Sequence, residues 1–450
     1  MKPTPSPVHV MAEIKEAVLS YIDTAFWLRD PEVAEERRAV LSEPGVLFQE
    51  PLLEPVLPYP GTVDARAACT AVGLTARESE ILLQGLFGEV ATSGFELRQH
   101  QAETLRVSLG SGEARHPVVT SGTGSGKTES FLLPVLARLL IESRSWGSRT
   151  AVNAWWTSKP ERWSPVREED RPAAVRTIVL YPMNALVEDQ VARLRRTLRR
   201  MRDLGGPAIW FGRYTGATLG GGPLPAGGRH PYLADVAREL RQMADEIDSV
   251  AGAAEDLTAQ MSDPRHAEML TRWDMVATPP DILVTNYSML NVMLMRETEQ
   301  PIFQMTRDWL AADAGREVTL VVDELHLYRG TQGAEVAMII RNLCDRLGLP
   351  PDSDQLRIVG TSASLDARQS SYLEGFFGTA ARAFVTVPGT PLAVEASLPL
   401  APELVERKVR EGDLHGLDLA LAAACSSADT TLRATPLSEV ARNLFGGDGH

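Results

Sequence analysis

Residues 116–130 read HPVVTSGTGSGKTES, and no other stretch constrains the fold as strongly. A short apolar strand runs into a glycine-rich loop, and a helix begins where the loop ends. Within it, Ser121, Gly122, Thr123, Gly124, Ser125, Gly126, Lys127 and Thr128 form a phosphate cradle. Gly124 and Gly126 let the backbone bend so that successive N–H groups turn toward a polyphosphate. Lys127 can then reach the β- and γ-phosphates, and the Thr128 hydroxyl can hold Mg²⁺. The positive end of the following helix favours the same anion. Ser121 stands where the general pattern has glycine, but the strand–loop–helix context is the one such a loop requires.

A second signal lies about two hundred residues on. The apolar run 318–322 delivers Asp323 and Glu324 at its C-terminal tip, followed by Leu325 and His326. Asp323 is placed to complete an Mg²⁺ shell and Glu324 to orient or deprotonate a water. His326 can relay contact to a neighbouring motif. Between and beyond these motifs, strands are expected at 177–182, 208–212, 281–287 and 356–360, alternating with helical stretches. In such α/β sheets ligands bind at the C-terminal ends of the strands. The last of these strands runs into Thr361, Ser362, Ala363 and Ser364, whose small hydroxyls can hydrogen-bond the acidic pair.

Other segments leave two readings open. Gln101, upstream of the loop, can pair its amide with an adenine edge or simply begin a surface helix. The stretch 142–174 holds Trp146, Trp155, Trp156 and Trp163 among arginines and lysines. These rings can stack single-stranded bases or pin the segment to the domain. A helix opening at 183–190 carries Arg193, Arg195, Arg196, Arg199, Arg200 and Arg202 opposite an inward face of Val191, Leu194, Leu198 and Met201. Its arginines can meet phosphates or only water. The polar stretch 220–278 reads as an inserted helical hairpin.

Composition narrows the class. The 450 residues suit two or three domains, and a net charge of −14 argues against unspecific coating of nucleic acid while allowing a local basic face. Cys69, Cys344 and Cys425 are far apart and offer no zinc or disulfide spacing, which fits a reducing cytoplasm. The N-terminus lacks the apolar core of a secretory signal, and the apolar run 131–141 is too short to cross a bilayer, so no membrane partner is expected.

In order, the chain reads LRQHQ, TSGTGSGKT, LYPMNALVEDQ, YTGAT, ILVTNYSML, VVDELH and GTSAS. This series resembles the first RecA-like lobe of a superfamily 2 DEAD/DEAH-box helicase, and within it the DELH-box bacterial helicases of DNA repair and anti-phage defence. The resemblance covers roughly residues 15–390. It implies an α/β fold: a P-loop, RecA-like, mostly parallel sheet flanked by helices, with helical insertions at about 142–174 and 220–278. The expected division is a helical N-terminal accessory region (1–90), the ATP-binding lobe (91–390) and a helical linker (391–450) toward a second lobe. The implied activity is ATP-dependent movement on nucleic acid, DNA favoured over RNA, with ATP and Mg²⁺ as cofactors. A nucleotide-gated adaptor subunit of a defence or repair complex is the alternative.

Carried over position by position, the resemblance implies that Gln101 contacts adenine, while Thr123, Gly124, Ser125, Gly126, Lys127 and Thr128 bind the triphosphate. Thr128 and Asp323 would hold the metal, with Lys127, Asp323, Glu324 and His326 catalytic. Ser362 and Ser364 would couple hydrolysis to motion. Pro182, Asn184, Arg213, Thr215, Gly216 and Thr285 would lie along the nucleic-acid path, mostly on phosphates. Leu325 sets the box apart from strict DEAD and DEAH groups. The family's second lobe carries an arginine motif of the type QxxGRxxR, which nothing after Thr390 matches. The expectation is a lobe whose partner lies in the same longer chain or in another subunit.

Overall fold

The computed structural model describes residues 7–43, 45–91, 94–122, 124–147, 150–157, 162–225, 227, 229–250, 252, 254–363, 370–392, 394, 398–411, 416–425 and 434–446. These fall into two compact units, 59–390 and a second formed by 1–58 with 391–450.

Eight strands build the central sheet of the larger unit: β1 (His116–Thr120), β2 (Thr177–Tyr181), β3 (Phe211–Tyr214), β4 (Glu268–Met269), β5 (Ile282–Asn286), β6 (Val318–Val322), β7 (Leu356–Ser362) and β8 (Phe384–Pro388). Their order is β8-β1-β7-β6-β2-β5-β3-β4, and every adjacent pair is parallel. A parallel sheet needs crossovers, which cover both faces with helices, so its strands can be apolar throughout. Here Ile178, Leu180, Leu283, Leu320, Val322 and Ile358 join one buried cluster. Their alternates Val179, Tyr181, Ile282, Val284, Val321 and Val359 join the other. This is the RecA-like α/β fold that the motif order implied.

The helix after the glycine-rich loop, α1 (Lys127–Ser143), buries Phe131, Leu133, Val135, Leu136, Leu139 and Leu140 on one face of the sheet. The helix Ala76–Phe87 shares that core through Ile81, Leu82 and Leu83. Residues 59–90 therefore pack with the lobe, whereas the sequence grouped them with the accessory region.

Several elements differ from the sequence reading. The strand expected at 208–212 lies at Phe211–Tyr214, which puts Arg213 within it. The edge strand β8 pairs with β1 and was not foreseen, although Phe384, Val385 and Val387 are apolar; of its residues only Val387 is buried. The stretch 220–278 is not a helical hairpin. Its described residues hold one long helix, Leu233–Ser249, two short helices, Glu255–Ala259 and Arg272–Ala277, and the two-residue edge strand β4.

Four arginines of α2 (Asn184–Asp203) do not face only water but are taken up by the inserted segment. Arg195, 4% exposed, grips Glu268 through two bonds of 2.6 and 2.8 Å. Arg199 donates to the carbonyls of Thr258 at 3.0 Å and Met261 at 3.1 Å. Arg196 pairs with Asp256 at 2.9 Å and Arg200 with Glu255 at 2.6 Å. These arginines dock the inserted segment onto the lobe.

The tryptophans also turn inward. Trp155 and Trp156 are buried, Trp163 packs edge-on to Trp273, and the Arg171 guanidinium lies 3.5 Å above the Trp146 ring. Packing, rather than base stacking, is what these rings do in this structure.

In the smaller unit, helices Pro7–Ala25 and Pro31–Ser42 are joined by Arg37 to Asp23 at 2.9 Å. Leu52–Leu53 pairs antiparallel with Thr435–Pro436, and helices Leu417–Ala424 and Leu437–Phe445 enclose a small core around Cys425. Among the described residues no helix is long and apolar enough to cross a membrane.

Candidate functional site

The chain leaves β1, passes the positions later filled by β7 and β6, and enters β2. That reversal leaves the C-terminal tips of β1, β7 and β6 side by side, with Ser362 opposite Thr120 and Gly360 opposite Val322. Crevices outside such tips are where α/β sheets take ligands.

The glycine-rich loop fills one side. Gly124 and Gly126 both adopt φ of 75°, a left-handed conformation that favours glycine. A side chain at Gly126 would also run into the Arg98 and Gln101 side chains. Neighbours hold the loop in shape: Ser121 and Ser125 share a hydroxyl contact of 2.6 Å, and Arg98 donates to the Gly124 carbonyl at 3.1 Å. The buried His100 ring bonds the Ser125 carbonyl through Nε2 at 2.8 Å. Burial holds that imidazole below its usual range, which keeps it neutral. Gln101 accepts from the Arg98 N–H at 3.1 Å and donates to the Gly126 carbonyl at 3.4 Å. Thr123 lies outside the described residues.

The acidic pair fills the other side. Glu324 sits at φ 53°, ψ 50°, a left-handed conformation uncommon outside glycine. Its carboxylate reaches Lys127 Nζ at 3.2 Å and His326 Nδ1 at 3.2 Å. Asp323 is 7% exposed. Burial raises its carboxyl above the usual range, and the neighbouring Glu324 charge adds to this, while Thr361 and Lys127 pull it back. The Thr361 hydroxyl donates to Asp323 Oδ1 and accepts from the Glu324 N–H at 3.2 Å. The Thr361 hydroxyl thus reaches both members of the acidic pair. Ser362 is wholly buried, and its carbonyl accepts from the Ser121 N–H at 3.3 Å, tying β7 to the loop. Ser364 lies outside the described residues.

Between these walls is a cleft of about 700 Å³, lined by Tyr59, Phe87, Phe95, Gln101, Lys127 and Glu324 among others. An aromatic end beside an amide-lined loop fits a nucleoside triphosphate in size and chemistry. Among the described residues no cluster of three or more His, Cys, Asp or Glu could hold a metal by itself. That fits Mg²⁺, which takes one or two protein ligands together with substrate phosphates.

A second row of candidates follows the tips of β2, β5 and β3, where Asn286 lies opposite Tyr181 and Thr285 opposite Tyr214. Pro182 is buried just past β2, and Asn184 begins α2. Arg213 is paired with Glu188. The carbonyls of Thr215 and Gly216 accept from Arg272 at 2.8 and 3.2 Å. Gly216 is exposed, whereas Thr285 is wholly enclosed and donates to the Tyr214 carbonyl at 2.7 Å. Thr285 therefore shapes the β3 tip and does not face outward.

Thr361 was among the hydroxyls read from the sequence as partners of the acidic pair, and it is one. Sequence reasoning missed three contributors. Arg98 and His100 stood inside the LRQHQ stretch, so a signal existed for each. Tyr59, whose hydroxyl accepts from the Gly122 N–H at 3.0 Å, sits in a proline-rich strap with no signal.

Fold and motif geometry define a P-loop, RecA-like lobe, and residues 98–210 match the family model for the DEAD/DEAH box helicase. The chain is 32% identical over 444 residues to Druantia protein DruE of Escherichia coli (strain UMEA 4076-1), a match that covers 86% of this chain and 22% of that protein. The chain thus spans about a fifth of the length of this curated relative. Similar solved structures include the DUF1998 helicase MrfA bound to DNA (20% identity, 76% of this chain and 32% of that chain, TM-score 0.41). Mycobacterium smegmatis helicase Lhr bound to ssDNA and AMP-PNP (19%, 78% and 33%, TM-score 0.40) is another. So is the DEAD-box helicase Mss116 bound to ssRNA and UDP-BeF (13%, 80% and 56%, TM-score 0.42).

Proposed function

We propose that this chain is the ATP-binding lobe of an ATP-dependent nucleic-acid helicase or translocase, acting on DNA in preference to RNA. The observation that carries this reading is the convergence of Lys127, Glu324 and Asp323 at the tips of β1 and β6, with Lys127 Nζ 3.2 Å from Glu324 Oε1. In the resting cleft the two charges satisfy one another. A polyphosphate entering the loop would take Lys127 for its β/γ oxygens, and Glu324 would be released to orient and deprotonate a water. Thr128 and Asp323 would hold Mg²⁺, which when bound neutralises phosphate charge. His326 Nδ1, 3.2 Å from Glu324 but not hydrogen-bonded to it in the resting cleft, would steady that carboxylate once aligned. Gln101 and the Phe87–Phe95 pair, with centroids 4.8 Å apart, mark the adenine end.

Ser362, together with the undescribed Ser364, would transmit the state of the cleft through β7. The row formed by Pro182, Asn184, Arg213, Thr215 and Gly216 would carry the phosphate backbone, with Thr285 supporting it from beneath. Backbone contacts give little sequence preference, which suits movement along a strand. DNA is favoured on the resemblance of the VVDELH series to the DELH-box helicases of DNA repair and defence. A second lobe, in the same longer chain or a partner, would supply an arginine to the open side of the cleft. A cytoplasmic setting agrees with three scattered free cysteines.

The test is ATP turnover by the assembly that contains this lobe. Lys127→Ala and Glu324→Gln should each lower turnover by about 10²-fold or more, with Glu324→Gln keeping ATP binding. Turnover and unwinding that survive both substitutions would sink the enzyme reading. Biological activity that survives without turnover would favour the nucleotide-gated adaptor.

A further inference from the structure

Tyr59 reaches the phosphate loop from outside every helicase motif. It lies between Pro58 and Pro60 in the proline-rich strap, just before the strand Gly61–Asp64. Its hydroxyl accepts the Gly122 N–H at 3.0 Å. A phenol has one proton to give and lone pairs to accept with. The accepting side is occupied by Gly122, and among the described residues no protein acceptor takes the Tyr59 proton. The ring is fixed on two sides. It stands edge-on to His100, with centroids 5.8 Å apart, and His100 holds the Ser125 carbonyl on the far side of the loop. Gly389, just past β8, lies so close that a side chain there would collide with both Ser121 and the Tyr59 ring. The hydroxyl is therefore held at the mouth of the cleft that Lys127 and Glu324 share, and Tyr59 is part of its lining.

We propose that Tyr59 is a polyphosphate-binding residue: its hydroxyl, oriented by the Gly122 N–H, donates to a phosphate oxygen of the bound nucleotide. This deepens the reading of the cleft as an ATP site and rests on it. A donor to a charged oxygen is worth more than a neutral pair, and it acts on the phosphates alone. Removing it should weaken phosphate-bearing ligands and leave the nucleoside end untouched.

The experiment is calorimetric titration of the 450-residue chain with ATP, tripolyphosphate and adenosine, each against wild type, Tyr59→Phe and Lys127→Ala. Tyr59→Phe should raise the Kd for ATP and for tripolyphosphate by about tenfold, leave adenosine unchanged, and keep the thermal midpoint of wild type. Equal ATP affinity in wild type and Tyr59→Phe would overturn the proposal, as would an equal loss for adenosine, which is what a merely structural ring would give. Wild-type ATP binding that ignores Lys127→Ala would overturn the site reading and this inference with it. A normal Lys127 effect with a silent Tyr59→Phe would overturn the inference alone.

Discussion

His116 opens β1 with its ring fully enclosed. Its Nδ1 accepts from the Ile358 N–H at 3.2 Å, so that nitrogen must stay unprotonated. Burial first, then the Arg115 and Arg357 guanidiniums, push the imidazole down from 6.5 to about 3. A group whose folded pKa lies below its unfolded value contributes stability above the unfolded pKa and loses it as pH falls. The His116 share of the unfolding free energy should therefore fall by about 1 kcal/mol per pH unit below pH 6.5, where only the unfolded chain takes the proton. Asp274, raised to about 6 by burial, acts in the opposite sense, because its protonation as pH falls favours the native state. The difference between wild type and His116→Gln in urea titrations isolates the histidine: between pH 6.5 and 5 it should move against wild type by about 1 kcal/mol per pH unit as pH falls, and a constant difference would assign the acid loss elsewhere. None of this was legible in the sequence, where His116 is one residue of an apolar strand. Lys127, Asp323 and Glu324 were legible because their spacing from glycine or from a strand end already states the chemistry.

At the scale of elements, α2 shows how a correct period can carry an incorrect role. Its apolar stripe was readable, and Val191, Leu194 and Met201 are buried as the period requires. The partners of its arginines were not readable, because they come from residues 255–268, more than fifty positions away. Arg195 and Glu268 are each 5% exposed at the side chain, so the pair is shielded from solvent. Removing one member of such a pair strands the other charge and costs about 3–5 kcal/mol. Arg195→Met should lower stability by that order in urea unfolding. The double variant with Glu268→Met should recover much of the loss, since two apolar side chains leave no buried charge. A double variant no better than the single would mean that the carbonyl of Ala259, also held by Arg195, carries the docking instead.

For the whole molecule, the strand order decides what meets what. The loop after β1 and the acidic pair after β6 are separated by about two hundred residues, and β7 between them supplies Thr361 to Asp323. With one lobe's residues lining the cleft, the isolated chain should bind ATP weakly and turn it over slowly, with little stimulation by single-stranded DNA. Robust DNA-stimulated turnover by these 450 residues alone would remove the need for a second lobe. The sequence by itself determined the α/β class, the phosphate loop and the acidic pair, because each rests on local geometry: a glycine-permitted bend, a buried strand, a carboxylate at its tip. Only the tertiary structure decided that Thr361 bonds both Asp323 and the Glu324 N–H, that the tryptophans pack inward, that the arginines of α2 hold the inserted segment, and that Tyr59 reaches the loop. Those facts depend on pairings between distant residues, and the interior, packed close on both faces of the sheet, fixes such pairings only once the whole chain has folded.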